Sequence, residues 1–351
     1  MPMDLLDLAA ELVDIPSESH HEGLLADHVE QRLRTANHLE VHRIGDNVVA
    51  RTRLGQPLRL VVAGHLDTVP ANGNQGARVE GDRLYGLGAC DMKGGLAAQL
   101  ATALQVDDPA IDVTYVFYAG EEVAARYNGL THLFGDHPDL VTGDAALLGE
   151  PTSAGIEAGC QGTLRARITY RGERAHTARP WKGRNAIHRL GPVLTGLAAY
   201  EGRRPVIDGC EYREAIQTVF VEGGVAGNVV PDEAILTVNL RYAPDRSPAD
   251  AEAHLAEQVG ANDGFEITDH SIAAAPNLAH PLLAALVERN GLEVRAKLGW
   301  TDVARFAEYG IPAANFGAGD ASIAHTRDEF VDRHEIEQVH GAMADLVRRG
   351  V

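Results

Sequence analysis

Hydrophobic residues in the first 150 positions follow two spacings, which predict two kinds of element. Residues 3–13 and 22–34 carry Leu, Ala and Val at helical intervals, whereas the later apolar runs are continuous and stop near glycine or acidic residues. These runs occupy residues 58–67, 112–122 and 145–150, with a further helical segment at 93–104. Continuous apolar strands are typical of a sheet that is covered on both faces. We therefore predict an α/β region in which much of the sheet is parallel.

The pattern changes near residue 160, where apolar and polar residues begin to alternate. The segment TLRARITY at 163–170 alternates strictly, as expected for a strand with one buried face. The elements that follow it are a helix at 184–200, strands at 217–223 and 234–242, a helix at 248–258 and a strand at 265–270. This βαββαβ order predicts a ferredoxin-like domain with two helices on one sheet face and the other face free.

Helical and strand-like segments alternate again after about residue 275, and the chain finishes with a helical pattern at 335–349. The ferredoxin-like part is therefore predicted to be an insertion into one larger domain. We assign residues 1–158 and 273–351 to the larger domain and residues 159–272 to the inserted one.

The charge and the cysteines of the chain narrow its possible functions. Its 351 residues include 31 Lys and Arg against 50 Asp and Glu, a formal net charge of −19, so we expect no nucleic-acid partner. The N-terminal residues lack a basic start, and no apolar stretch approaches the roughly 18 residues of a membrane span. We expect a cytoplasmic protein without membrane contact. Cys90, Cys160 and Cys210 fit neither a disulfide framework nor a thiolate zinc site, so a metal would need nitrogen and oxygen ligands.

Residues with catalytic or metal-binding chemistry recur where the predicted strands end. They are His65 and Asp67 after the first long strand, Asp91 in a glycine-rich turn, Glu121 and Glu122 after the second strand, Glu150 after the third, and His325 near the C-terminus. Each of them alone is typical of a structural turn, a helix cap or a solvated surface residue. The glycine-rich turn matches neither nucleotide-binding pattern, GxxxxGK[ST] or GxGxxG after a strand.

The combination is more informative than any one residue, because open α/β sheets build their sites where strands end. Carboxylates gathered in one cleft repel each other and take up protons unless cations neutralise them. Two histidines and three acids can hold two divalent ions if one carboxylate bridges them. Imidazole and carboxylate ligands favour Zn, and also Co or Mn, over Mg or Ca.

Six ordered segments resemble the M20 family of dinuclear zinc peptidases and deacylases. They are GHLDTVP (64–70), GLGACDMKGG (86–95), YAGEE (118–122), GEPT (149–152), RAHTARP (174–180) and GDASIAHTRDE (319–329). The resemblance extends over nearly the whole chain. It implies a zinc-peptidase-like catalytic domain with a mixed central sheet flanked by helices, and an inserted domain that serves as a lid and a dimerisation surface.

The resemblance also implies roles for individual residues. His65 and Glu150 would hold one metal, Glu122 and His325 the other, and Asp91 would bridge the two. Asp67 would orient His65, and Glu121 would be the general base for water that attacks an amide carbonyl. His176, in the inserted domain, would hydrogen-bond the oxyanion, often in the active site of the partner subunit, so we expect a homodimer.

Within the family, residues 174–188, 227–244 and 297–306 resemble members that release succinate from N-succinyl-LL-2,6-diaminopimelate. Arg241 lies on the polar face of the predicted strand 234–242, away from the domain core, so it is a candidate for binding a substrate carboxylate. Asn228 and Thr301 match substrate-contacting positions of the family.

One segment departs from the family pattern. Longer members have an arginine near the segment GCQGT (159–163), which helps to bind the succinyl carboxylate; this chain has Cys160 and Gln161 there. Either Gln161, Thr163 and backbone amides replace that arginine, or the acyl group differs.

Two alternatives to the succinyl substrate stay open. The first is another M20 hydrolase of small N-acyl amino acids or peptides, such as an acetylornithine deacetylase, an N-acyl amino acid hydrolase or a dipeptidase. The second is a metal-binding homologue without catalysis. Glu121 argues against the second, because a structural metal site needs no base beside its ligands. Cys90, which adjoins Asp91, is expected to pack in the core.

Overall fold

The computed structural model describes residues 3–351, which divide into two compact units. The first unit runs up to Gly159 and resumes at Pro276–Arg295 and Arg305–Val351, and the second comprises Cys160–Ala275 and Ala296–Ala304. The sequence-based division differs from these units at its boundaries, since Gly159 belongs to the first unit and residues 273–275 to the second, and it also differs in one further segment. Residues 296–304 pack with the second unit, although we assigned them to the larger domain with the rest of 273–351.

Helices and strands alternate through most of the described chain. The helices are α1 (Leu5–Asp14), α2 (Gly23–Leu33), α3 (Gly94–Gln105), α4 (Gly129–Asp136), α5 (Pro138–Val141), α6 (Ala186–Ala198), α7 (Pro248–Val259), α8 (Pro281–Asn290), α9 (Val303–Glu308) and α10 (Arg333–Arg349). The strands are β1 (Glu40–Ile44), β2 (Asn47–Arg51), β3 (Arg59–His65), β4 (Arg78–Glu80), β5 (Arg83–Tyr85), β6 (Asp112–Tyr118), β7 (Ala145–Leu148), β8 (Ile156–Ala158), β9 (Gly162–Arg171), β10 (Ala175–His176), β11 (Val206–Ile207), β12 (Cys210–Glu211), β13 (Ala215–Gly223), β14 (Val229–Val230), β15 (Glu233–Tyr242), β16 (Gly264–Ser271), β17 (Val294–Ala296), β18 (Ala313–Asn315) and β19 (Phe330–Asp332).

The main sheet of the first unit is mixed, as predicted. Its eight strands follow the order β1-β2-β6-β3-β7-β18-β8-β17. The central strands β6, β3, β7 and β18 run parallel, whereas β1, β2 and β8 pair antiparallel with their neighbours. Every residue of β6 is buried, which agrees with the continuous apolar run in its sequence. The parallel strands bring their carboxyl ends to one edge of the sheet.

Glycines allow three of the chemically important segments to approach each other closely. A Cβ on Gly95, at the start of α3, would lie 2.2 Å from the carbonyl oxygen of Gly149, and one on Gly317 would lie 2.1 Å from the same oxygen. Only glycine fits contacts this short. The turn before α3, the end of β7 and the segment after β18 are thereby packed together.

The second unit contains a four-stranded antiparallel sheet in the order β13-β15-β9-β16. With α6 and α7 its elements follow the predicted βαββαβ order. Along β15 exposed or half-buried residues alternate with buried ones, and the buried set joins the apolar residues of α6 and α7 in one core. The other sheet face is free of helices from this unit.

Ion pairs with the buried Glu214 fix the loop between α6 and β13. Both carboxylate oxygens of Glu214 accept hydrogen bonds from Arg203 (2.7 and 3.0 Å) and from Arg246 (2.8 and 3.1 Å). Burial raises the pKa of Glu214, but these two guanidinium groups outweigh it and lower the pKa to about 2. Each arginine bond is bidentate, so the geometry of the loop is well defined.

Several short elements were not predicted, including the β1–β2 hairpin and the small sheet β19-β5-β4. Among residues 3–351, no helix combines the length and the apolar composition that crossing a bilayer requires.

Candidate metal centre

Two histidines flank the carboxylate of Asp91. His65 is the last residue of β3 and is buried, and its Nε2 lies 3.1 Å from Asp91 Oδ1. His325 lies in the loop after β18, and its Nε2 is 3.4 Å from Asp91 Oδ2. One imidazole therefore faces each oxygen of the same carboxylate, which is the arrangement that a bridging ligand between two cations requires.

The remaining acids predicted as ligands surround the same point. Glu122 Oε1 lies 2.8 Å from His325 Nε2. Three overlapping groups place possible ligand atoms within 4.8 Å of one another, and Asp91, His65 and Glu122 each belong to two of these groups. The groups are His65 with Asp91 and Glu150, Asp91 with Glu122 and His325, and His65 with Glu121 and Glu122. Nitrogen and oxygen atoms in this number and spacing fit two borderline-hard divalent ions.

The pKa shifts within the cluster indicate that its carboxylates are stabilised by positive charge. Burial by itself would raise the pKa of Asp91, but hydrogen bonds with His325 and His65 hold it below its ordinary value. The same contacts raise the pKa of His325 to about 10, with Asp91 as the largest cause and Glu122 next. Burial opposes the charge on His65, yet the surrounding carboxylates still raise its pKa well above the ordinary value. A divalent ion would supply positive charge at the same place.

Asp67 holds the backbone that carries the two adjacent glutamates. Its Oδ1 accepts a hydrogen bond from the N–H of Glu121 (2.9 Å), and its Oδ2 accepts from the N–H of Glu122 (3.0 Å) and from the hydroxyl of Ser19 (2.8 Å). The Nδ1 of His65 lies 3.0 Å from the main-chain oxygen of Asp67 and 3.6 Å from its carboxylate. Asp67 thus orients His65 through its carbonyl, and its side chain positions Glu121 and Glu122.

Glu329 positions the backbone at Asp91 in the same way, and we did not predict this role, although Glu329 is the last residue of the segment GDASIAHTRDE. Its buried carboxylate accepts hydrogen bonds from the backbone N–H groups of Gly88 (3.1 Å), Cys90 (3.0 Å) and Asp91 (3.1 Å). These partners lie more than 230 positions away along the chain, so no local pattern could link them. Cys90 is fully buried, and burial raises the pKa of its thiol, which agrees with a packing role.

The other predicted site residues belong to the second unit, and the structure brings two of them together. His176 and Asn228 lie on neighbouring segments of the β10–β14 ribbon, where the N–H of Thr177 donates to the carbonyl oxygen of Asn228 (3.0 Å). The Nδ1 of His176 accepts a hydrogen bond from the N–H of Ala178 (3.0 Å). A neutral imidazole that accepts at Nδ1 carries its proton on Nε2.

Two predicted substrate contacts lie beside each other on the free sheet face, and two lie in the interior. Thr163 faces Arg241 across the β9–β15 pair. Thr301 is buried, and its carbonyl oxygen contacts the thiol of Cys160 (3.7 Å). Gln161 is 1% exposed, and its amide donates to the carbonyl of Arg213 (2.9 Å) and accepts from the N–H of Arg213 (3.2 Å). The Gln161 side chain therefore binds the backbone of Arg213, and its predicted contact with the substrate is not supported.

The comparisons with known proteins agree with this fold and with these motifs. Residues 61–349 match the family described as peptidase family M20/M25/M40. The chain is 51% identical over 348 residues to a putative succinyl-diaminopimelate desuccinylase from Mycobacterium tuberculosis, covering 99% of this chain and 97% of the relative. It is 46% identical over 346 residues to succinyl-diaminopimelate desuccinylase from Corynebacterium glutamicum, covering 96% and 94% of the two chains.

Solved structures share the fold at lower identity. Aminopeptidase PepT from Bacillus cereus superposes with a TM-score of 0.80 at 19% identity, covering 98% of this chain and 97% of that one. A dinuclear metal-binding peptidase of the M20 family from Bacillus subtilis gives a TM-score of 0.72 at 18% identity, covering 98% and 96%.

We expect Glu329→Gln to weaken metal binding about 10- to 100-fold, because an amide cannot accept all three backbone bonds that position Asp91. Metal titration followed by calorimetry on the metal-depleted protein would measure this. The control is Asp328→Asn, which removes a charge from the neighbouring exposed residue. Equal affinities in Glu329→Gln and Asp328→Asn would contradict a positioning role for Glu329.

Proposed function

The chain belongs to peptidase family M20/M25/M40, and on that basis we propose that it is a metal-dependent amide hydrolase that releases succinate from N-succinyl-LL-2,6-diaminopimelate. The observation that carries the hydrolase activity is the cluster in which Asp91 lies between His65 and His325 with three glutamates nearby. The choice of substrate is supported by the two relatives that bear this activity in their names, at 51% and 46% identity.

The residues present fit two divalent ions. We propose that His65 and Glu150 hold one ion, that Glu122 and His325 hold the other, and that Asp91 contacts both. Zn is the ion that this ligand set favours, with Co or Mn as possible replacements. When bound, such ions lower the pKa of water and polarise a carbonyl group.

Glu121 is the proposed general base. It lies with His65 and Glu122 in one of the three groups of close ligand atoms, and its backbone is held by Asp67. The base takes a proton from the attacking water while the water oxygen bonds to the amide carbon. The same carboxyl then returns the proton to the amide nitrogen as the C–N bond breaks, so that succinate and a free amine leave.

His176 is proposed to stabilise the negative charge that develops on the amide oxygen. Its Nδ1 already accepts a hydrogen bond from Ala178, which leaves the Nε2–H available as a donor. A donor fixed in this way is suited to an oxyanion, because little reorganisation is needed when the charge appears.

A change of Glu121→Gln is expected to retain the metal and to lower kcat by about 10²–10⁴-fold, since an amide has no basic site for the proton. Metal content and steady-state rates measured on the same preparation separate the two effects. The matched variant is Glu122→Gln, in a proposed ligand, which should lose metal as well as rate. Near-normal turnover by Glu121→Gln would refute its assignment as the base.

The substrate itself is tested by product analysis with N-succinyl-LL-2,6-diaminopimelate, acetylornithine, other N-acyl amino acids and dipeptides. We expect the highest kcat/KM for the succinyl substrate and complete loss of turnover with a chelator. Faster hydrolysis of acetylornithine or a dipeptide would replace the proposed substrate with another within the same family. Metal binding without turnover of any of these substrates would instead favour a non-catalytic metal-binding homologue.

We also propose a homodimer joined through the second unit. Strand β13 is at one edge of the four-stranded sheet, and it exposes Val219 (44%), Phe220 (65%) and Val221 (53%). An edge strand with open backbone groups and exposed apolar side chains is a template for pairing with another chain.

Sedimentation velocity tests this assembly. We expect the wild-type protein to sediment as a dimer and Phe220→Glu to shift it towards the monomer, because a charge would be buried at the interface. Leu24→Glu, at an equally exposed apolar residue of α2 (67%), should leave the dimer intact. A fully active wild-type monomer would exclude the proposed interface.

A further inference from the structure

Three arginines lie on the free face of the sheet in the second unit, and they differ in their partners. Arg165 Nη1 is 3.8 Å from Asp269 Oδ2, and Arg167 Nη2 is 3.8 Å from Glu222 Oε1. The guanidinium of Arg241 has no hydrogen bond and no ion pair within residues 3–351. Arg241 is nevertheless half buried, so its charge is partly removed from water without a counter-charge in contact.

Arg165 and Arg241 are neighbours on this face. In the β9–β15 pair, Thr163 lies opposite Arg241, and Arg165 lies opposite Asn239. Residues opposite each other share a face, and their diagonal neighbours are within reach of long side chains. Burial lowers the pKa of Arg241, the charge of Arg165 lowers it further, and the charge of Asp269 opposes both. The two guanidinium groups therefore repel each other, and Asp269, which lies 3.8 Å from Arg165, offsets part of this repulsion.

The polar groups around the pair are also donors. The amide of Asn239 donates to the hydroxyl oxygen of Thr163 (3.0 Å). This leaves the hydroxyl hydrogen of Thr163 to donate towards an acceptor on the same face. Two guanidinium groups and a hydroxyl form a set of donors that suits a carboxylate, which accepts several hydrogen bonds and neutralises the repulsion.

The ion pair of Arg165 with Asp269 is weak enough for Arg165 to bind a ligand. Its contact with Asp269 joins side chains that are 47% and 45% exposed, and exposed ion pairs contribute little to stability. By contrast, the segment at Cys160 and Gln161 is buried, and the amide of Gln161 is occupied by Arg213. The Gln161 side chain therefore already has a donor and an acceptor partner within the protein.

We propose that Arg165 binds, together with Arg241, the carboxylate at the end of the acyl chain of the substrate. This inference rests on the proposed function, because it takes the acyl group to be succinyl. It identifies Arg165 as a specificity-determining residue. Arg165 would thereby replace the arginine that longer family members have near residues 159–163, where this chain has Cys160 and Gln161.

The test is a cycle of two enzymes and two substrates. N-succinyl-LL-2,6-diaminopimelate is compared with its N-butanoyl analogue, in which a methyl group replaces the acyl carboxylate. We expect Arg165→Gln to lower kcat/KM for the succinyl substrate by about tenfold or more, chiefly through KM, because a charge-assisted hydrogen bond is lost. For the butanoyl analogue, kcat/KM should change less than about twofold, because this substrate has no acyl carboxylate that Arg165 could bind.

Arg167→Gln is the matched control, because Arg167 lies two residues along β9 on the same face and also pairs with an acid. Arg167→Gln should leave kcat/KM for both substrates within about twofold of the wild-type values. Misfolding of Arg165→Gln would lower kcat/KM for both substrates equally. An equal loss on both substrates by a folded variant, or the same pattern in Arg167→Gln, would overturn the proposal.

Calorimetric titration of the holoenzyme with succinate separates this proposal from the proposed function. We expect Arg165→Gln to weaken succinate binding by about tenfold and Arg167→Gln to leave it unchanged. If the wild-type enzyme does not hydrolyse the succinyl substrate, the proposed function fails. The titration then tests the carboxylate site at Arg165 by itself. Equal affinity of wild type and Arg165→Gln for succinate would then overturn the carboxylate site.

Discussion

Mutual repulsion among carboxylates is the constraint on which the candidate metal centre depends. Asp91, Glu121, Glu122 and Glu150 each come within a few ångströms of a histidine nitrogen that also faces another acid. Such a cluster is stable only if positive charge lies among its members. The raised pKa values of His65 and His325 express this requirement. Two divalent ions satisfy it with the same atoms, which is why the geometry is better suited to metal binding than to a structural network.

The repulsion also explains why two further acids lie behind the centre. Asp67 and Glu329 direct their oxygens at consecutive backbone N–H groups of the segments that carry the proposed base and ligands. Backbone N–H groups stabilise a buried carboxylate without adding a full positive charge that would compete with a metal. Burial raises the pKa of Glu329, and its bonds to Asp91, Gly88 and Cys90 oppose that change. The acids thus divide between those that we propose as cation ligands and those that hold the backbone.

The sequence predicted those parts of the molecule that have a local signature. Apolar runs located β3, β6 and β7, and alternation located β9 and β15, because burial on two faces or one face sets the period of each strand. Strand ends then located His65, Glu121, Glu122 and Glu150. The small sheet β19-β5-β4 joins short segments that are distant along the chain, and these segments have no periodic pattern.

Outside the metal centre, where strand ends and family motifs mark the residues, side-chain partners distant in sequence were not predictable. Glu329 follows Asp328 at the end of the segment GDASIAHTRDE, and nothing in its neighbours distinguishes it from a solvated surface acid. Gln161 was expected to face the substrate because a family arginine lies near it. Its burial depends on the backbone of Arg213, which is 52 positions away. Contacts of this kind follow from the packed tertiary structure, and no local period encodes them.

Opposite charges must be kept apart if both are to act on one substrate. An arginine beside the acids of the metal centre would pair with them, as Arg203 and Arg246 pair with Glu214 in the second unit. The charges of those two guanidinium groups are compensated by Glu214. Arg241 keeps its capacity because the strands around it present Thr163, Asn239 and a second arginine in place of a carboxylate at contact distance. An acidic chain can bind an anionic substrate only where its cations are protected from its own acids in this way.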